Sequence, residues 1–170
     1  MKETVKIEEM TWLEIEEAIE KGMDTVIVMV GSIEQHGPHL PIKTDTLLAD
    51  EYGKRIAKEL GDALLAPTIR PGVSGHHMDF PGTISVSPYT LMNLLKDYCN
   101  SLDKHGFRFI VIIPTHGGNF APINTIVPQI STEMKNAEII SISDLDRLIQ
   151  LQNEGMKEII EFEEVLIHAG

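Results

Sequence analysis

The chain has one cysteine in 170 residues, Cys99, so it cannot form an intramolecular disulfide. That fits a reducing compartment, and a cytoplasmic protein is expected. Cys99 falls within a helical pattern and reads as core filler rather than as a nucleophile. Basic residues are scarce: 14 Lys and Arg stand against 26 Asp and Glu, a formal charge of −12. Phosphate backbones need a basic surface, so no nucleic-acid partner is expected. The same acidity does not oppose a metal ion, which carboxylates favour. No apolar run approaches the ~20 residues that span a bilayer, and the charged start MKETVKIEEM is not a signal peptide, so no membrane partner is expected. Neither Ser32 nor Ser74 stands in a G-x-S-x-G turn, which argues against a serine hydrolase. No repeat, low-complexity tract or linker divides the sequence, so a single domain over residues 1–170 is expected, long enough to bury a real core.

The remaining pattern alternates strand and helix. Thr11 and Glu14 have the spacing of a capping box, opening an amphipathic helix that ends at Gly22. Thr25–Val30 is a β-branched apolar run that reads as a buried strand. Thr44 or Thr46 could cap the next helix, which runs to about Leu60. Ala63–Ala66 is a short strand, and Pro67 to Pro88 is a loop long enough to suggest function. A helix follows from Pro88, then a strand over Phe107–Ile113. A helix from about Asn119 to Lys135 carries Pro128, which predicts a kink. Glu138–Ile142 is a further strand, with helix after it. The alternation predicts an α/β fold, three layers α/β/α, with a mostly parallel sheet.

Two strand-to-loop junctions carry the chemistry. After the first strand comes G-S-I-E-Q-H-G-P-H-L-P-I-K-T-D, Gly31 to Asp45, which holds Glu34, His36, His39 and Asp45. Glu34 and His36 are two apart and share a side in extended chain. After Phe107–Ile113 comes Pro114-Thr115-His116-Gly117-Gly118-Asn119. Strands of a parallel sheet end on one edge, so His116 should meet Glu34, His36 and Asp45 there. Carboxylates and imidazoles in one place suit zinc, manganese or iron. His39, between two prolines, reads as a buttress of the loop, His105 as a helix-end cation, and His76 as solvated. Glu163 and Glu164 read as a solvated helix face.

These stretches resemble the creatininase (creatinine amidohydrolase) family. The matching motifs are Gly31 to Pro41 with Thr44-Asp45, then Phe80-Pro81-Gly82-Thr83-Ile84-Ser85, His116-Gly117-Gly118-Asn119 and His168-Ala169-Gly170. The resemblance implies a creatininase-like fold and metal-dependent hydrolysis of a non-peptide C–N bond in a small molecule. Creatinine, formamido-pyrimidines and modified peptides are handled by relatives. It implies one or two divalent metals per chain, zinc usually. Glu34 and His116 would bind one metal, His36 the other, and Asp45 both. His168 would donate a proton to the leaving nitrogen, with a frayed chain end as its alternative reading. His77 would stand in the pocket wall, against substrate or a neighbouring subunit, and Gly117 and Gly118 would line the substrate site. A homo-oligomer, a hexamer by resemblance, is expected. The sequence departs from the family at Gly118, where creatininase proper has a metal-binding glutamate. Thr115 replaces a usual glycine, and His76 a common glutamate. Members with the His-Gly-Gly-Asn form carry their glutamate after His-Ala-Gly, where this chain stops. It is therefore expected to be a C-terminally short member. A catalytically impaired metal-binding or assembly protein of the same fold is the competing reading.

Overall fold

Among the described residues the alternation of strand and helix is realised as one four-stranded parallel sheet flanked by four α-helices. The structure, a computed structural model, describes residues 4–144 and Gln150. In chain order the elements are α1 (Trp12–Glu20), β1 (Thr25–Val30), α2 (Thr44–Leu60), β2 (Ala63–Leu65), α3 (Pro88–Lys104), β3 (Phe109–Pro114), α4 (Phe120–Ser131) and β4 (Glu138–Ser141). The strand order is β2-β1-β3-β4, with every neighbouring pair parallel. Helical crossovers are what such pairing requires.

The two-residue period of β1 divides the core. Val26, Val28 and Val30 face one side, where α1, α3 and α4 bring Ala18, Leu91, Leu95, Cys99, Ile123 and Ile130. Ile27 and Met29 face the other, against Ala49 and Ala57 of α2. Helices thus cover both faces, which makes the three layers α/β/α. Cys99 is fully buried, and burial pushes its thiol up to about 12, as core filler should behave. Among the described residues no helix is long and apolar enough to cross a membrane.

Local signals hold in part. The capping box is present: Glu14 N donates to Thr11 Oγ1, and Thr11 N donates to Glu14 Oε2 at 2.7 Å. His105 is the C-cap of α3. The expectation for α2 is corrected, because neither threonine caps it. The hydroxyls are used to hold the preceding loop instead: Thr44 Oγ1 donates to Pro41 O at 2.6 Å and Thr46 Oγ1 to Ser32 O at 2.9 Å. Helix α4 stops at Ser131 rather than Lys135. The reason is Asp103 on α3, whose carboxylate accepts from the backbone N–H groups of Lys135, Asn136 and Ala137 at 3.3, 2.8 and 2.7 Å, turning the chain into β4. The helix expected after Ile142 lies outside the described residues, apart from Gln150.

The register positions the functional loops. Val30 pairs with Pro114, so β1 and β3 end side by side. The Gly31–Asp45 loop and the His116 loop therefore leave the same edge of the sheet, as the topology of parallel sheets demands.

Candidate metal centre

At that edge four side chains converge. Glu34 is fully buried, and His36, Asp45 and His116 are 6%, 5% and 3% exposed. Burial at this level disfavours charge unless partners compensate. His36 Nε2 lies 3.1 Å from Asp45 Oδ1. His116 Nδ1 lies 3.0 Å from Glu34 Oε1 and 3.3 Å from Asp45 Oδ2. The two oxygens of Asp45 thus face different imidazoles, one from each loop.

Surrounding groups fix the imidazole of His116. Its Nε2 lies 3.1 Å from the Val73 carbonyl and 3.3 Å from Ser74 Oγ. The carbonyl can only accept, so Nε2 carries a proton and donates to it. In the neutral ring this leaves Nδ1 as a lone pair aimed at the two carboxylates, the arrangement that outer contacts impose on metal-ligating histidines. Ser74 Oγ also meets Ser32 Oγ, which lies 3.3 Å from Glu34 Oε2; both serines are fully buried. Thr115 Oγ1 donates to Asp45 O at 2.9 Å. Asn119, fully buried, donates from Nδ2 to Gly31 O at 2.9 Å and accepts from Val73 N at Oδ1, also 2.9 Å. It ties the end of β1 to the segment that orients His116.

The electrostatics show what the cluster needs. Burial by itself would lower the pKa of His116, but Asp45 and Glu34 outweigh it and hold the imidazolium up to about 9. Burial would raise Glu34, yet hydrogen bonding from His116 and Ser74 brings it down to about 2. Two carboxylates therefore demand a cation between them. The donor set fits a divalent ion: Glu34 Oε1, Asp45 Oδ2 and His116 Nδ1 are buried and converge, the two oxygens 3.0 and 3.3 Å from the imidazole nitrogen. Two overlapping groups of side chains could each hold an ion, Glu34 with His36 and Asp45, and Glu34 with His76 and His116.

His77 sits at the rim, its Nε2 3.6 Å from Glu34 Oε1 and its Nδ1 3.0 Å from Gln35 Nε2. Gly117 is exposed, with open space where a Cβ would lie, whereas Gly118 packs against Val73 and His116. His39 is exposed and in neither ligand group. His168, Glu163 and Glu164 lie outside the described residues. His76 is exposed, as the sequence reading expects, and its ring also stacks on His116 with centroids 5.7 Å apart and planes 6° off parallel. The sequence also missed Ser32, Ser74 and Asn119 as supports. Of these only Asn119 carried a signal, its place in the His-Gly-Gly-Asn run.

Known proteins resemble this chain in sequence and in fold. The mycofactocin precursor peptide peptidase of Mycolicibacterium smegmatis is 39% identical over 128 residues, covering 71% of this chain and 51% of that protein. The creatinine amidohydrolase of Pseudomonas putida is 35% identical over 124 residues, covering 70% of this chain and 47% of that protein. The chain spans about half the length of the curated relatives it matches. Among solved structures, a mutant creatininase of zinc–zinc type matches with a TM-score of 0.83 at 26% identity, covering 99% of this chain and 69% of that one. A manganese form of creatininase matches with a TM-score of 0.71 at 27% identity, covering 89% and 64%. Zinc and manganese forms of one fold, with the buried donor set here, support a divalent metal. The family model described as creatinine amidohydrolase matches residues 8–170, and with the shared parallel sheet and the ligand loops at its edge, this chain belongs to the creatininase family.

Proposed function

We propose that the protein is a metal-dependent amidohydrolase, cleaving a non-peptide C–N bond, a cyclic amide or formamide, in a small molecule. The observation that carries this is the buried, mutually facing pair of Asp45 Oδ2 and His116 Nδ1 beside Glu34 and His36. Glu34 and His116 would hold one ion, His36 the other, and Asp45 would serve both, its two oxygens facing His36 and His116. Zinc is the preferred ion, since two imidazoles and two carboxylates suit it; manganese and iron accept the same donors. When bound, such ions supply activated water and polarise a carbonyl. The chain's own groups do the rest. Val73 and Ser74 hold the tautomer of His116. Ser32 orients Glu34. His77, Gly117 and Gly118 form the wall against which substrate lies. His168 supplies the proton to the leaving nitrogen, with imidazole chemistry suited to neutral pH. The related peptidase and the 3-dehydro-scyllo-inosose hydrolase of Thermotoga maritima widen the substrates to be tried beyond creatinine.

The protein works in the cytoplasm as a homo-oligomer. Exposed Leu40, Ile42, Phe80, Ile84 and Tyr89 lie on or beside the site loops and support association of copies. The test is hydrolysis of creatinine, formamides and small cyclic amides by the chelated and the zinc-reloaded protein. Activity that disappears with chelator and returns with metal is expected. Metal that binds at full loading without any hydrolysis would instead favour the catalytically impaired binding protein. One observation favours that second reading: position 118 offers no carboxylate.

A further inference from the structure

Position 118 cannot deliver a ligand to the centre. A Cβ there would lie 2.0 Å from the Val73 carbonyl oxygen and 2.7 Å from His116 Nε2. Backbone occupies the place of any side chain, so from the His116-Gly117-Gly118 run only His116 reaches the cluster. The segment that fills the space is Val73 to His77, and it is firmly held. Val73 N donates to Asn119 Oδ1, the Val73 carbonyl accepts from His116, and Ser74 N donates to Ser85 Oγ at 2.9 Å. The one-turn helix Gly75–His77 that follows brings two imidazoles back over the site.

The two imidazoles differ in what they can do. Gln35 Oε1 accepts from Gly37 N at 2.8 Å, which fixes the amide so that its Nε2 faces His77 Nδ1 at 3.0 Å. An amide nitrogen can only donate, so His77 Nδ1 accepts and His77 Nε2 carries the proton, directed at Glu34 Oε1. At 3.6 Å that contact is electrostatic rather than a hydrogen bond, and His77 stays tied to Gln35 at the rim. His76 has its ring parallel to His116, and one of its nitrogens lies within 4.8 Å of both a Glu34 oxygen and a His116 nitrogen. Donors on a zinc-sized ion at about 2.0–2.2 Å stand closer together than that. Coordination would therefore require the exposed ring of His76 to turn toward Glu34 and His116.

We propose that His76 is a further protein ligand, beside Glu34, His116 and Asp45, of the ion at the Glu34–His116 site, on its solvent side. The Val73–His77 segment thus excludes a donor at position 118 and supplies one in its place. The ligand is a divalent ion that takes mixed nitrogen and oxygen donors. The inference rests on the cluster being a metal centre.

Cobalt(II) is the probe, titrated into the full chain after chelation, with visible ligand-field absorption and spin-echo counting of coordinated imidazoles. His76→Ala, His76→Gln and His116→Ala are compared with the unsubstituted protein. At the Glu34–His116 site, His76→Ala and His76→Gln should each weaken cobalt binding at least about tenfold, shift the absorption band and remove one imidazole. Circular dichroism should not change, since His76 is exposed. If His116→Ala loses cobalt while both His76 variants keep affinity, band and imidazole count, the ligand role of His76 is overturned and the metal centre stands. If the unsubstituted protein binds no cobalt, both fall. Lost hydrolysis in His76→Ala with unchanged cobalt binding also overturns the ligand role.

Discussion

Replacing Asp45 with alanine tests the centre most directly. Asp45 faces His36 with one oxygen and His116 with the other, at 3.1 and 3.3 Å. If that carboxylate is shared between two ions, as proposed, its loss should weaken every site, whereas His36→Ala should spare the Glu34–His116 ion. Loss of groups that merely orient ligands weakens metal binding about 10- to 100-fold. A direct ligand should cost at least about 100-fold, or roughly 2.7 kcal/mol. With free zinc at about 100 times the original Kd, binding stabilises the native chain by about 2.7 kcal/mol, and a 100-fold weaker site gives only about 0.4 kcal/mol. At about 2–4 °C per kcal/mol for a chain of this size, a zinc-induced Tm rise of about 5–11 °C should shrink to about 1–2 °C. Thermal melts with and without zinc, alongside elemental analysis of dialysed protein, read both quantities. Full metal content and an undiminished Tm rise in Asp45→Ala would refute the shared-ligand role.

Other outcomes follow from the same structure. In the metal-free protein, the raised His116 contributes stability that is complete below 6.5 and lost as pH rises through about 9. The depressed Glu34 contributes above 4.5 and loses its contribution as pH falls towards about 2. Urea midpoints of the chelated chain should therefore be highest between those limits, and a flat profile from acid to alkaline pH would contradict the ion pair. Asp103→Ala removes the acceptor of three backbone N–H groups and should cost about 1–3 kcal/mol by urea titration, a cost that is complete above 3.8 and fades as pH falls further and the depressed carboxylate is protonated. Gly53→Ala should destabilise, although helix propensity alone favours alanine by about 1 kcal/mol. Its Cβ would lie 2.6 Å from both Leu65 Cδ1 and Met29 Cγ in the core, and overpacking costs about 1–3 kcal/mol. A stabilised variant would show that α2 can lift from the sheet freely. Cys99 should resist thiol reagents in the native chain and react on unfolding, since burial holds its thiol near 12.

The strands were legible because a buried strand needs a run of β-branched residues, and Thr25–Val30 was read to its exact limits. Strand β3 was shifted by one or two residues, because apolar Phe107 precedes the ladder and packs in the core without pairing. Helix α4 was drawn too long, since the capture of residues 135–137 by Asp103 joins positions more than thirty residues apart and leaves no local pattern. The meeting of Glu34, His36, Asp45 and His116 was legible from topology: parallel strands share an edge, and both loops follow strands. His76 is solvated as read, but its stacking on His116 was not legible, because that contact joins residues forty apart.

The layer order, the edge where the chemistry lies and the donor types gathered there can be read from the residues alone. These follow from local periodicity and from the direction of parallel strands, which a single chain encodes residue by residue. Only the tertiary structure decided how the donors are aimed. The tautomer of His116 depends on a carbonyl forty-three residues away, the closure of position 118 on that same carbonyl, and the approach of His76 on the turn beyond it. Such contacts join distant segments through backbone groups that every residue carries, so no side-chain pattern announces them.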